Sequence, residues 1–129
     1  MERDNIRKAM KTIIDPKNHE SVLAQWANAE AKIWIFHVSL KRMAIVLTRK
    51  GERNAIYIVA IGCEHITGPF SWKRANIIIE KNVQKGEVRY RLIDRQAGFD
   101  LLCGGVAIAH GPATVPINPF DNFIGDTMK

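Results

Sequence analysis

Apolar positions recur along the chain in two rhythms, helical up to about Ala27 and alternating from Lys32 onward. Ile6, Ala9, Met10, Ile13 and Ile14 fall on one side of a helical wheel, with Arg3, Arg7, Lys8 and Lys11 largely on the other. This spacing predicts an amphipathic first helix. Asp15-Pro16 ends it, because the residue before a proline is pushed out of the helical region. The same pair starts a second helix, with Asp15 as cap and Pro16 at the first helical position. Val22, Leu23, Trp26 and Ala27 form its apolar stripe.

Six strands are predicted from the alternating part. Ile33 to Leu40 sends Trp34, Phe36, Val38 and Leu40 one way and Ile33, Ile35, His37 and Ser39 the other. Met43 to Thr48 follows, then a charged hairpin loop with Gly51. Asn54 to Ile66 is the central strand. It is rich in β-branched residues and apolar on both faces, with Tyr57, Val59, Ile61 and Cys63 against Ile56, Ile58, Ala60 and Gly62. A longer connection carrying Gly68-Pro69 leads to Arg74–Lys81. Glu87 to Asp94 alternates cleanly, with Val88, Tyr90 and Leu92 opposite Glu87, Arg89 and Arg91. Phe99 to Ala109 completes the set, and its Gly104-Gly105 pair signals a bulge or a close backbone approach.

These elements predict an α+β domain over residues 1–111, with two N-terminal helices packed on a curved, mainly antiparallel sheet of about six strands. An extended, proline-containing C-terminal arm over residues 112–129, carrying Val115, Ile117, Phe120, Phe123 and Ile124, packs on the sheet or on a partner subunit. Two helices cover one sheet face only, and the first three strands are apolar on both. The second face therefore needs strong curling of the sheet, the arm, or the matching face of another copy.

Length and composition fit one globular domain: 129 residues, 47% hydrophobic and 25% charged. The chain opens on charged residues without the apolar core of a signal peptide, which places it in the cytoplasm and predicts no membrane association. Charge is unevenly spread. Residues 1–95 carry 18 Lys+Arg against 10 Asp+Glu, net +8, and residues 96–129 carry 1 against 3, net −2. A basic body admits an anionic partner, though solubility explains a modest excess equally well.

Candidate chemistry centres on Cys63, Glu64 and His65, with Cys103 and His110. Cys63 and His65 lie about 6.6 Å apart on one strand face, a spacing from which two side chains can converge on a metal. Cys103 and His110 fall on opposite faces of a regular strand, and neither pair has a familiar zinc-site spacing. Free, buried thiols are the simpler account, so no metal site and no cofactor is assigned. A cysteine nucleophile with His65 or His110 as base is the enzymatic version, and it lacks an identifiable third, orienting residue. The chain contains no P-loop, dinucleotide fingerprint, zinc-protease motif, serine-hydrolase elbow or calcium loop. No catalytic residue is assigned.

Three functional readings follow. The first is a binding or assembly domain that acts as a homodimer, with a ligand pocket near His37, Cys63, His65, Phe70 and Trp72. The second is a small enzyme sited in the concave sheet near His37, Cys63 and His65. The third is a nucleic-acid module using Lys73, Arg74, Arg89 and Arg91, with Phe70 and Trp72 for stacking.

Overall fold

The structure is a computed structural model that describes residues 12–113. The described residues are built almost wholly from antiparallel strands, with one short helical segment among them in place of the expected α+β arrangement of two N-terminal helices on a sheet. The elements are β1 (Thr12–Ile13), a 3-10 turn (Pro16–Asn18), α1 (His19–Gln25), β2 (Ala29–His37), β3 (Arg42–Thr48), β4 (Asn54–Ile61), β5 (His65–Thr67), β6 (Ser71–Ala75), β7 (Ile78–Gln84), β8 (Glu87–Asp94), β9 (Phe99–Cys103) and β10 (Gly105–Pro112).

The helical spacing of the first fourteen residues misleads at its described end, because Ile13 pairs with Ala109 in β1 instead of completing a helix. Residues 1–11 lie outside the described residues. Asp15 and Pro16 do start a helical segment, with the Asp15 side chain accepting the Lys17 N–H at 3.1 Å. It is short. Leu23 and Trp26 are its buried contributions to the core, and Asn28 at φ 71° turns the chain into β2.

Six strands order as β1-β10-β4-β3-β2-β6 and four as β5-β9-β8-β7. Three stretches pass from one sheet to the other: β4 into β5 at Gly62-Cys63, β9 into β10 at Gly104, and β6 into β7 at Asn76-Ile77. Following the pairings leads from β2 through β3, β4–β5, β10–β9, β8 and β7–β6 back to β2. The sheet thus folds on itself as a flattened barrel. Its inner apolar faces cover each other, so two helices are not needed to cover them.

The first bend is a bulge. Ile61 pairs with Gly105 and His65 with Leu102, so four steps along β4–β5 are matched by three along β9–β10. Gly62 takes φ +66° at this point, and Gly104 donates its N–H to the Ile61 carbonyl at 2.9 Å.

The main core joins Leu23 and Trp26 of α1 to Ile45, Ile58, Leu92, Phe99, Leu101 and Ile108. A second cluster, on the opposite face of the large sheet, holds Ala44 and Val59, both fully buried, with Ile35, Ile61 and Ala107 packed against them. The central strand is therefore apolar on both faces because both face packed surroundings. Pro112 still belongs to β10, and Ala113 donates its N–H to the Arg53 carbonyl at 2.8 Å. The rest of the expected arm, residues 114–129, lies outside the described residues.

Candidate functional site

The bulge separates the two residues expected to converge. Cys63 turns to the core, its thiol 3.6 Å from the Ala60 carbonyl, while His65 on β5 is exposed. Cys103 and His110 also depart from expectation, since both face inward. Cys103 is fully buried in the main core, and the His110 ring stands 6.4 Å from the buried Trp26. The irregularity at Gly104 shifts the alternation by one residue, which a regular strand would not do.

Burial pushes the Cys63 thiol up to about 11. Cys103 rises to about 12, from burial first and the neighbouring Cys63 second. Both are protonated thiols near neutral pH, the unreactive form. Among the described residues no group of three or more His, Cys, Asp or Glu side chains is placed to hold a metal ion.

The aromatic loop divides. Trp72 caps the core, stacked on Phe99 at 4.7 Å with its indole N–H donating to Asp94 at 2.7 Å. Phe70 remains 82% exposed. The basic residues divide as well. Arg89 pairs with Glu64 at 3.2 Å and Glu87 at 3.1 Å, and Arg91 with Asp100 at 3.3 Å. Both arginines of this face of the small sheet thus have a carboxylate partner within ion-pair distance. Lys73 and Arg74 lie on β6, in the other sheet.

One edge stands out. β6 pairs with β2 only from Ala29 to Lys32, and one further bond joins the Ile33 N–H to the Phe70 carbonyl at 2.7 Å. From Trp34 to Phe36, β2 has no strand beside it on that edge among the described residues. Exposed apolar side chains gather around this segment: Phe36 at 48%, Val38 at 72% and Leu40 on the β2–β3 hairpin, with Phe70 flanking β2. Ile66 follows closely on Cys63, whose N–H donates to the hairpin carbonyl of Lys41 at 2.8 Å. His37 closes the strand, its Nδ1 accepting the Leu40 N–H at 3.3 Å. Of the five expected ligand-site residues, His37 and Phe70 thus border this edge, Trp72 and Cys63 serve the core, and His65 lies on the outer face of β5.

A cleft of about 450 Å³ lies between the 3-10 turn and the inner side of β7, β8 and β10. Pro16, Lys17, His19, Glu20, Ile79, Lys81, Tyr90 and Val106 line it. Lys81 faces Tyr90 directly across the β7–β8 ladder, so both stand on the side that carries Ile79. The Nε2 atom of His19 is buried without a hydrogen-bond partner among the described residues. Desolvation lowers the His19 pKa, opposed by the nearby Ile14 backbone and by Asp15. Sequence reasoning missed this group, because a single histidine at a helix start has no spacing partner. The one available signal was Lys81, a charge on the alternation phase of Ile79.

Comparison with protein-family models, with curated proteins and with solved structures finds no match for this chain.

Proposed function

We propose that this chain is a binding domain that works by self-association, two copies joining antiparallel through the open edge of β2. The observation that carries the reading is the coincidence of a strand segment, Trp34 to Phe36, that has no partner on its outer edge among the described residues with the exposed side chains of Phe36, Val38 and Phe70. Natural sheets guard such edges with lysine, proline or very short strands. Here Trp34-Ile35-Phe36 carries no such guard.

A second copy is the occupant that fits. An antiparallel strand edge is complementary to itself under a two-fold axis, so one surface supplies both halves of the contact. Main-chain bonds set the register, and Phe36, Val38 and Phe70 become buried beside the joined edge. At about 25 cal/mol per Å² of apolar surface, three such side chains supply several kcal/mol toward the cost of association.

Sedimentation equilibrium tests this reading. The wild-type chain is expected to be a dimer at micromolar concentration, and Phe36→Asp with Phe70→Asp to be a monomer with an unchanged far-ultraviolet spectrum. A wild-type monomer throughout that range overturns the proposal.

A further inference from the structure

Ala44 and Val59 stand at the centre of the outer face of the large sheet, and both are fully buried. The side chains packed against them, Ile35, Ile61 and Ala107, belong to β2, β4 and β10 of that same sheet. Neighbours within a pleated sheet flank a side chain but leave its tip open. The core, with Ile58 and Ile108, lies on the other side. Sealing Val59 therefore takes a further layer, and no strand or helix among the described residues supplies it. Because Ala44 and Ala107 are small, with Ile35 and Ile61 rising beside them, the centre of the face is a recess that takes an apolar side chain.

Ala113 stands over this same face. The Tyr57 hydroxyl donates to the Pro112 carbonyl, and the Ala113 N–H donates to the Arg53 carbonyl at 2.8 Å. Tyr57 lies on the outer face, its ring 5.3 Å from that of Trp34. Ala113 shares the lining of a cavity of about 300 Å³ with Lys32, Trp34, Val46 and Thr48, all on β2 and β3. The chain has thus turned from β10 across β4 toward the middle of the sheet. At the other edge Ile13, paired with Ala109, is 54% exposed, so the cover does not reach β1, the strand that follows residues 1–11.

We infer that residues 114–129 fold back along the outer face of their own chain's large sheet, as an extended strap that seats Phe120 in the recess over Ala44 and Val59. Beyond Ala113 come Val115, Ile117 and Phe120, with Pro116 and Pro119 between them. Prolines at this spacing rule out a helix interior and favour extended backbone. Val59 is six residues past Arg53, about 20 Å along β4. At about 3.1 Å per residue, an extended chain leaving Ala113 covers that distance close to Phe120. Charge agrees with the choice of segment. Glu30, Lys32 and Arg42 share the outer face, net +1. Residues 114–129 carry Asp121 and Asp126 against Lys129, net −1, whereas residues 1–11 carry four Lys+Arg against two Asp+Glu, net +2.

Methyl NMR of the full chain tests the strap. Nuclear Overhauser contacts are expected from the Val59 methyls to the Phe120 ring and to Ile117. In a mixture of labelled and unlabelled chains they are expected within one chain, whether or not copies join along β2. Val59 contacts to residues 1–11, to the arm of a second copy, or to no residue beyond Ala113 overturn the inference. Thiol reactivity gives a second readout. Val59→Cys in the otherwise unaltered full chain is expected to react with dithiodipyridine about tenfold more slowly than in the same chain carrying Ile117→Asp and Phe120→Asp, with far-ultraviolet spectra alike. Equal rates overturn the strap.

Discussion

The Trp72 indole N–H donates to the Asp94 carboxylate at 2.7 Å, and Asp94 is 1% exposed. The same oxygen accepts the Asn76 N–H at 2.7 Å, and the other accepts the Ala97 N–H at 3.3 Å. One buried side chain therefore ties the corner between β6 and β7 to the turn between β8 and β9. Its removal leaves three N–H groups without their acceptor, at two bends the barrel needs. Asp94→Ala is expected to cost about 3 kcal/mol, and Trp72→Phe, which keeps the stacking on Phe99, about 1 kcal/mol. Urea unfolding with an unchanged slope checks both.

Gly68 has φ +128°, and a Cβ there would lie 2.8 Å from the Phe99 Cα. Gly86 also has a positive φ, +80°, but nothing lies within 4 Å of its Cβ position. Alanine at Gly86 is expected to cost about 1 kcal/mol, the strain of the left-handed region alone. At Gly68 the added backbone clash is expected to raise the loss by about a further 2 kcal/mol. Equal midpoints for the two variants in thermal unfolding contradict the close approach to Phe99.

The thiols predict a pH dependence whose sign is fixed by their direction of shift. Cys63 rises from 9.0 to about 11 and Cys103 to about 12 on folding. The folded state holds protons that the unfolded chain releases, so their contribution to stability is intact below pH 9 and is lost as pH climbs toward 11 to 12. Cys63→Ala and Cys103→Ser together are expected to flatten that alkaline fall. In the native wild type, modification by iodoacetamide at neutral pH is expected to be much slower than in denaturant.

His19 carries the opposite sign. Its pKa is lowered on folding from 6.5, so its contribution is present above that value and is lost as pH falls below it. The charged or titratable groups about it are Asp15, Lys17, Glu20, Lys81 and Tyr90. His19→Gln is expected to reduce the loss of stability between pH 7 and pH 5, followed by urea midpoints across that range.

The strands were legible because alternation is local. Val88, Tyr90 and Leu92 against Arg89 and Arg91, and the doubly apolar run from Ala55 to Ile61, sort correctly without any knowledge of partners. Gly104-Gly105 marked a real irregularity. What stayed hidden were the consequences of bends. Sequence gives the alternation of Arg74–Lys81, but not that Asn76-Ile77 turns one strand into two sheets. It also does not give the phase shifts at Gly62 and Gly104, which send His65 outward and His110 inward. The helical error has a similar origin, since Ile13-Ile14 fits either period and the β10 edge decides for a strand. The ion pairs of Arg89 and Arg91 depend on cross-strand neighbours, so the alternation shows the two arginines but not the carboxylates that meet them.

The most direct measurement of self-association through β2 is amide hydrogen exchange at two protein concentrations. If copies join along that edge, exchange at Trp34 to Phe36 slows as concentration rises from about 1 μM to about 100 μM, while β8 is unchanged. Identical exchange of those amides at both concentrations contradicts the account.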